Sequence, residues 1–387
     1  MEKHQKHAKL NKPQIGNFHR NEWAILGTTC GKIKKLAFAL SALLKEEYKL
    51  GYLDADHQGA DAEAAAGRNS ESAMAHGASR EYTDKISFHQ FNFEGHQDTY
   101  QFRVQFNNED FVLVNGNHFQ AKRQIVVIDP KKEPSLLKRL DQLTQVDLLL
   151  FDQGQEKPYP FLMEKFPNLK QVPSFALSDH EGIAGWMNTQ LKAAKAPLFG
   201  LVLAGGKSIR MGQDKGALNF HGKAQRDHVA QLLDQCCEQV FLSGRSEQAF
   251  ASDQAVIEDV FLGLGPFGGL LSAFKAFPDA AWLVVACDLP LLDTATLDQL
   301  VSARNPSQLA TAFQSPLNEF PEPLITIWEP RSYPVLLQFL AQGFSCPRKV
   351  LINSAIELIT AKNPQALTNV NDREDLDRVR TLLDNKA

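Results

Sequence analysis

The sequence predicts an α/β protein with two domains, and three observations support this prediction. The chain has 387 residues, which is more than one hydrophobic core usually takes. A short apolar run followed by a glycine-bearing turn occurs twice, at residues 23–32 and again at residues 198–206. After the second occurrence, strand-like runs alternate with helical patterns, which is typical of right-handed crossovers and a mainly parallel sheet.

The predicted organisation has an N-terminal arm at residues 1–20, a first domain at residues 21–192 and a second domain at residues 197–387. The boundary is expected near residues 190–197, where the chain has the composition of a short linker. The arm contains several histidines, but its polar composition favours a solvated segment over a metal site.

The first domain begins with a strand, a loop and a helix. Residues 23–26 form an apolar run, residues 27–32 form a glycine-bearing turn, and residues 33–44 have apolar side chains at helical spacing. Three later apolar runs are predicted to be buried strands of the same sheet, at residues 111–114, 125–128 and 147–151.

The second domain is predicted to alternate strands with helices. The strands are expected at residues 198–203, 240–243, 256–257, 282–286 and 324–328. The helices are expected at residues 226–235, 267–277, 294–303, 333–341 and 373–383. Ligands of such sheets bind at the carboxyl ends of the strands, so the functional residues of this domain are expected there.

Composition and charge exclude several classes of function. With 41 basic and 45 acidic residues, the net charge is −4, which gives no electrostatic support for binding to nucleic acid or to an anionic membrane. The apolar runs fall short of the roughly 20 residues of a membrane span, and the basic, polar start is unlike a signal peptide. The sequence therefore predicts a soluble cytoplasmic protein.

The cysteines fit the same interpretation. The chain has five, without a C-x-x-C pair or another metal-binding spacing, which is typical of a reducing cytosol. Cys236 and Cys237 are adjacent on a predicted helix, where they are expected to point to different sides.

The most informative segment is residues 203–215, which reads Leu-Ala-Gly-Gly-Lys-Ser-Ile-Arg-Met-Gly-Gln-Asp-Lys. The Gly-Lys-Ser at 206–208 is not the end of a P-loop, because the earlier glycine of that motif is missing and the preceding residues are predicted to be strand. The glycines are also spaced wrongly for a dinucleotide-binding motif. What remains is a strand that ends in a turn of small residues, which lets a base, a sugar or phosphate oxygens approach the backbone. Arg210 and Lys215 then place positive charge where a triphosphate would lie.

This segment resembles the signature of the molybdenum cofactor guanylyltransferase family, L-A-G-G-x-S-x-R-M-G-x-D-K. Four further segments resemble the family in the same order: residues 256–259 (Val-Ile-Glu-Asp), 265–270 (Gly-Pro-Phe-Gly-Gly-Leu), 287–290 (Cys-Asp-Leu-Pro) and 369–372 (Asn-Val-Asn-Asp). Many nucleotidyltransferases share the first motif, whereas the ordered set is more specific. The resemblance covers residues 197–387 and implies a Rossmann-like nucleotidyltransferase domain.

The resemblance assigns roles to individual residues. The turn at 203–206 would contact the guanine nucleotide through its backbone, and Lys215 would contact its phosphates. Asp259 is similar to a nucleotide-binding aspartate of the family, and Asp288 to its Mg²⁺ ligand. The expected catalytic residues are Lys215, Asp288 and Arg210. The expected contacts with the nucleotide and the pterin are Leu203, Ala204, Gly205, Gly206, Lys215, Ser243, Asp259, Asn369 and Asn371.

Some of these roles have structural alternatives. Ser243 falls only near the position where the family can have a nucleotide-contacting asparagine. Asp288 agrees with magnesium chemistry, since that ion prefers one or two carboxylates with phosphate oxygens, but it could instead cap the following helix. Asn369 and Asn371 resemble asparagines near the pterin, although Asn-x-Asn before a helix is also ordinary capping sequence.

The function implied is transfer of GMP from GTP to the phosphate of molybdopterin, with Mg²⁺ as cofactor and pyrophosphate as leaving group. GTP is favoured because Gly205 lacks a Cβ, whereas relatives that use CTP tend to read L-A-A-G. A molybdoenzyme or its chaperone is the expected protein partner, and neither nucleic acid nor a membrane is expected. The alternatives are a cytidylyltransferase, a sugar-phosphate nucleotidyltransferase and a non-enzymatic cofactor-delivery protein.

The first domain resembles a different family over residues 22–155. Residues 27–33 (Gly-Thr-Thr-Cys-Gly-Lys-Ile) are similar to a P-loop, but they have one residue fewer between the glycines and an isoleucine in place of the magnesium-binding Ser or Thr. Residues 54–59, 67–72 and 75–78 look like the adaptor protein of molybdopterin-guanine dinucleotide synthesis, a P-loop GTP-binding fold. Asn115 stands where that family commonly has a carboxylate. The domain is interpreted as a pseudo-GTPase scaffold, with weak phosphate binding by Lys32 as the alternative.

Overall fold

The computed structural model describes residues 20–55, 72–95, 104–205, 215–245, 252 and 254–384, and of Lys215 and Asp384 it describes the backbone alone. The chain forms two compact units, residues 21–188 (the first unit) and residues 189–387 (the second unit). The division lies inside the helix His180–Ala193, just before the stretch where the sequence predicts a boundary.

The first unit contains a parallel sheet and a separate hairpin. Its strands are β1 (Asn21–Leu26), β2 (Leu50–Leu53), β3 (Arg80–Asp84), β4 (His89–Phe93), β5 (Phe111–Asn115), β6 (Arg123–Ile128), β7 (Gln145–Phe151) and β8 (Ser174–Ala176). Six of them form the sheet β2-β5-β1-β6-β7-β8, in which every pair is parallel. Strands β3 and β4 pair with each other as an antiparallel hairpin. The four predicted strands are confirmed, whereas β2, β8 and the hairpin were not predicted.

The helices of this unit include α1 (Cys30–Leu44), α2 (Glu133–Leu137), α3 (Pro160–Lys165) and α4 (His180–Ala193). Helix α1 begins because the Thr29 side chain accepts a hydrogen bond from the Lys32 amide, which satisfies one free donor of the first turn. Its apolar residues recur at helical spacing and are buried against the sheet (Ile33, Leu36, Ala37, Leu40 and Leu44). The predicted strand–loop–helix start of the domain is therefore confirmed.

The second unit has a larger mixed sheet. Its strands are β9 (Leu198–Leu203), β10 (Gln239–Gly244), β11 (Ala255–Glu258), β12 (Ala281–Ala286), β13 (Ala310–Gln314), β14 (Pro321–Trp328) and β15 (Glu357–Ile359). They lie in the order β11-β10-β9-β12-β14-β13-β15. Strand β14 runs antiparallel to both of its neighbours, and the other pairs are parallel. The prediction of a mainly parallel sheet is confirmed.

Helices cover both faces of this sheet. They include α5 (Gln225–Leu233), α6 (Pro266–Ala276), α7 (Thr294–Ser302), α8 (Ser332–Ala341), α9 (Pro347–Ile352) and α10 (Arg373–Asp384). Alternate residues of the central strands enter two separate cores, because successive side chains of a strand point to opposite faces. In β12, Leu283 and Val285 belong to one core and Trp282 and Val284 to the other. This is why the central strands are apolar along their whole length.

One local prediction in this unit is wrong. Helix α5 ends at Leu233, so Cys236 and Cys237 lie beyond the helix rather than on it. Their sulfur atoms are 4.0 Å apart and do not point to different sides. In the described part of the chain, no helix is both long enough and apolar enough to cross a membrane.

Candidate functional site

The carboxyl ends of four neighbouring strands border one cavity of about 540 Å³ in the second unit. The register of the sheet explains why they meet there. Leu203 of β9 lies opposite both Ser243 of β10 and Ala286 of β12, so the residues that follow these positions emerge at the same edge. The lining comes from Leu203, Ala204, Gly205, Gly216, Ser243, Arg245, Asp259, Phe261, Leu262, Gly263, Gly265, Pro266, Ala286, Cys287, Asp288 and Leu324.

The turn after β9 forms the centre of this wall. Ala204 is buried, and its amide donates a hydrogen bond of 3.2 Å to the carbonyl oxygen of Ser243. The predicted contacts Leu203, Ala204 and Gly205 all line the cavity. Residues 206–214, which include Gly206 and Arg210, lie outside the described residues.

The described chain resumes at Lys215. Lys215 begins a short 3-10 helix (Lys215–Ala217), and its neighbour Gly216 lines the cavity. The structure does not describe the Lys215 side chain, so its contact with phosphate stays a prediction.

Ser243 and Asp259 form a hydrogen-bonded pair at the β10 and β11 side of the cavity. The Ser243 hydroxyl donates to Asp259 Oδ1 at 2.6 Å. Burial raises the pKa of the Asp259 carboxyl above its usual value, while the Ser243 hydrogen bond and the positive charge of Arg245 oppose that rise. Arg245 was not singled out in the sequence, where only its position just after a predicted strand could have indicated it.

The amino terminus of α6 also faces the cavity. Gly265 has φ +56°, in the left-handed region that favours glycine, and Pro266 occupies the first turn of the helix. The unpaired amides of a helix amino terminus carry partial positive charge, which suits an anionic ligand. The segment Gly-Pro-Phe-Gly-Gly-Leu was matched to a family in the sequence, but its role as a cavity wall was not predicted.

Asp288 follows β12 and lines the opposite side of the cavity. It does not cap the next helix, because Asp293 does: the amide of Thr296 donates to Asp293 Oδ1 at 2.8 Å. The described residues contain no group of three or more His, Cys, Asp and Glu side chains that could hold a metal ion. Magnesium does not require such a group, since it commonly takes one or two carboxylates together with substrate phosphate oxygens.

The Asn369–Asn371 segment lies next to Asp288. The amide of Val370 donates a hydrogen bond of 2.8 Å to the backbone oxygen of Asp288, which holds this segment at the end of β12. The capping contact that the sequence offered as an alternative is made by Asp372. Its Oδ1 accepts a hydrogen bond from the amide of Asp375 at 3.0 Å. The two asparagines are thus beside the cavity without being among its described lining residues.

The glycine turn of the first unit is held by carboxylates of its own sheet. Thr28 donates to Asp129 at 2.7 Å, and the Lys32 ammonium contacts both Asp129, at 3.0 Å, and Asp152. The hydrogen bond to Asp152 raises the pKa of Lys32, with Asp129 adding to it and burial opposing it. Gly27 has φ +91°, and a Cβ there would collide with the backbone oxygen of Val127. The segments 56–59 and 67–71 lie outside the described residues.

The side chain of Asn115, at the end of β5, binds Asp54. It is fully buried, and its Nδ2 donates to Asp54 Oδ1 at 2.6 Å. Tyr52 donates to the other oxygen of Asp54 at 2.7 Å. Both oxygens of the Asp54 carboxylate are therefore engaged within the unit.

The second unit contains a match to a known family model. Residues 200–356 match the family model described as "MobA-like NTP transferase domain". The chain is similar to a molybdenum cofactor biosynthesis bifunctional protein of Synechocystis sp., with 32% identity over 48% of this chain and 54% of that protein. It is also similar to a molybdenum cofactor guanylyltransferase of Xanthomonas euvesicatoria pv. vesicatoria, with 43% identity over 29% of this chain and 56% of that protein.

A probable molybdenum cofactor guanylyltransferase of Flavobacterium johnsoniae is 27% identical over 45% of this chain and 92% of that protein. The chain spans only about half the length of the first two relatives, at 54% and 56%. The predicted resemblance of the second domain to this group of proteins is confirmed.

Proposed function

We propose that this chain, which carries a MobA-like NTP transferase domain in its C-terminal half, transfers GMP from GTP to the phosphate of molybdopterin. The observation that carries the proposal is the meeting of the Leu203–Gly205 turn, Asp259 and Asp288 around one cavity. Its volume of about 540 Å³ falls within the range of roughly 300–1,000 Å³ of small-molecule sites.

The nucleotide is proposed to lie across the strand ends, with its base toward Asp259 and its phosphates toward Asp288. Three strand spacings separate β11 from β12, which is about 14 Å across the sheet. The pair Asp259 and Arg245 offers an acceptor and a donor side by side. A carboxylate can accept from both N1–H and the 2-amino group of guanine, whereas cytosine has a single amino group as donor, so Asp259 suits guanine better than cytosine.

Asp288 is the residue proposed to hold Mg²⁺. The Asp288 carboxylate follows a buried strand and lines the cavity in which the triphosphate is proposed to lie. Such a carboxylate is a suitable hard oxygen ligand for Mg²⁺. When bound, magnesium would supply positive charge to the phosphate oxygens. Lys215 and Arg210 are proposed to add positive charge at the phosphates.

The proposed reaction is a direct in-line displacement. An oxygen of the molybdopterin phosphate forms a bond to the α-phosphorus of GTP, and the bond from that phosphorus to the bridging oxygen of the β-phosphate breaks, so pyrophosphate leaves. No covalent enzyme intermediate is needed, because phosphoryl-type transfer is catalysed mainly by positioning and charge neutralisation. Asn369 and Asn371, held beside Asp288 through Val370, are proposed to face the pterin.

The test is release of pyrophosphate by the full chain with molybdopterin and Mg²⁺, with GTP and CTP in parallel. We expect release with GTP, loss of release without molybdopterin, and an increase in product mass that corresponds to one GMP. Faster release with CTP, or with a sugar phosphate in place of molybdopterin, would support one of the other nucleotidyltransferases. Pterin binding without any release would support a delivery protein.

For the first unit we propose a P-loop-like scaffold that does not bind a nucleotide. Three features support this: Lys32 is engaged by Asp129 and Asp152, Ile33 replaces a magnesium-binding hydroxyl, and Asn115 replaces a carboxylate. A molybdoenzyme or its chaperone is the proposed partner of the scaffold. Equilibrium dialysis of the full chain should give one GTP bound per chain, and two GTP per chain would contradict the proposal.

A further inference from the structure

Ser243 has an unusual position for a residue expected to contact a nucleotide directly. It is 2% exposed, and its hydroxyl is already committed to Asp259 Oδ1 at 2.6 Å. Its backbone oxygen accepts from the amide of Ala204 at 3.2 Å. Ser243 thus contacts both the turn after β9 and the Asp259 carboxylate.

We infer that Ser243 is a positioning residue, which selects the base of the nucleotide only through the orientation it gives to Asp259. This inference rests on the proposed use of GTP, and it deepens that proposal by naming a specificity-determining residue.

The two oxygens of the Asp259 carboxylate have different surroundings. Oδ1 accepts from Ser243, and among the described residues no hydrogen bond reaches Oδ2. The backbone is fixed as well, since the amide of Asp259 donates to the carbonyl oxygen of Gly244 at 2.8 Å. With one oxygen and the backbone held, the carboxylate has little freedom to rotate. The second oxygen can then serve as an acceptor at a constant position for the ligand.

Helix α6 limits the space around the Ser243 hydroxyl. Gly269 of α6 lies directly behind it: a Cβ at this position would be 2.5 Å from Ser243 Oγ and 3.5 Å from Asp259 Oδ1. The hydroxyl could avoid that methyl only by rotating, and it would then lose Asp259. A helix that approaches this closely must present a glycine, so the packing of α6 supports the same orientation.

The orientation of Asp259 determines which groups of the base it can bind. A carboxylate oriented in this way can accept hydrogen bonds from both N1–H and the 2-amino group of guanine. Inosine triphosphate keeps N1–H and lacks the 2-amino group, so comparison of GTP with ITP measures this contact. A site built to hydrogen-bond a group discriminates against an analogue that lacks it.

The experiment measures kcat and KM for GTP and ITP with the full chain, in wild type and in Ser243→Ala. Wild type should prefer GTP by about ten-fold in kcat/KM, a typical value for one paired base contact. Ser243→Ala should raise KM for GTP by about ten-fold, leave kcat within about two-fold, and reduce the preference to about two-fold. Gly269→Ala should have the same effect although it keeps both side chains. Ser332→Ala serves as the control, because that hydroxyl is equally buried but donates to the backbone oxygen of Glu329.

A double-mutant cycle separates positioning from direct contact. If Ser243 acts only through Asp259, Ser243→Ala should change KM by less than about two-fold in an Asp259→Ala background, where no side chain is left to position. A full ten-fold effect in that background would overturn the inference, and so would an unchanged GTP preference in Ser243→Ala. Gly269→Ala gives the same answer if Ser243→Ala fails to fold. A wild-type chain that transfers no nucleotide would instead refute the proposed function.

Discussion

Two carboxylates that follow the same strand should have separable roles. Asp288 is proposed to hold magnesium, whereas Asp293 caps helix α7. Replacing Asp288 with Asn keeps the size of the side chain and removes its charge. We expect turnover to fall by about 10²-fold or more, the usual effect of removing one electrostatic contact in the transition state, with little change in stability.

Asp293→Ala should give the opposite result. Its Oδ1 accepts from the Thr296 amide at 2.8 Å and its Oδ2 from Asn363 Nδ2 at 3.1 Å. Loss of the cap costs about 0.5–2 kcal/mol and loss of the second hydrogen bond about 1 kcal/mol, so the second unit should become less stable by about 2 kcal/mol. Turnover at saturating GTP should remain within about two-fold of wild type.

The assay pairs pyrophosphate release, measured over a magnesium titration, with urea unfolding of the same preparations. We expect Asp288→Asn to lose activity and Asp293→Ala to lose stability. If Asp288→Asn released pyrophosphate at a near-normal rate, Asp288 would have no part in holding the metal. If Asp293→Ala were as stable as wild type, the assignment of the cap would be wrong.

Three further predictions follow from other parts of the molecule. Gly268→Ala should raise KM for GTP and lower stability by about 1–3 kcal/mol, because the new Cβ would collide with the backbone oxygen of Phe261 in the cavity wall; GTP titration and urea unfolding check this. His228 has its pKa lowered from 6.5 to about 4, mainly by burial, so the unfolded chain binds a proton more tightly than the folded one. Stability should therefore fall as pH decreases from 6.5 toward 4, and His228→Asn should flatten the dependence of the urea midpoint on pH. Lys32→Ala should destabilise the first unit by about 1–3 kcal/mol, because it leaves the buried Asp129 carboxylate without its cation, yet the GTP stoichiometry in equilibrium dialysis should stay at one per chain.

The central strands of the second unit could be predicted because the sequence patterns that indicate them are local. Strand β9 is a continuous apolar run that ends in small residues, and the structure confirms its bounds. Strands that are buried on both faces have continuous apolar runs, which can be seen in the sequence. Strands β13 and β15 were missed because β13 is short and partly polar (Ala310–Gln314) and β15 has three residues.

The side-chain arrangement of the cavity could not be predicted in the same way. The direction of the Ser243 hydroxyl depends on Asp259, sixteen positions away, and on the approach of Gly269 from α6. The choice between Asp288 and Asp293 as helix cap depends on where α7 begins, and helix ends are the least certain feature of a sequence pattern. Likewise, the contact of Lys32 with Asp152 joins helix α1 to the residue that follows β7, 120 positions further along the chain. The Ser243 and Lys32 contacts are long-range, and periodicity does not encode such contacts.

The most direct test of the account is a crystal structure of the full chain with GTP and Mn²⁺ in place of Mg²⁺. The account predicts an anomalous manganese peak beside the Asp288 carboxylate, triphosphate density over the Leu203–Gly205 turn, and guanine at Asp259. Nucleotide bound elsewhere, or a manganese peak away from Asp288 with the cavity of the second unit empty, would contradict it.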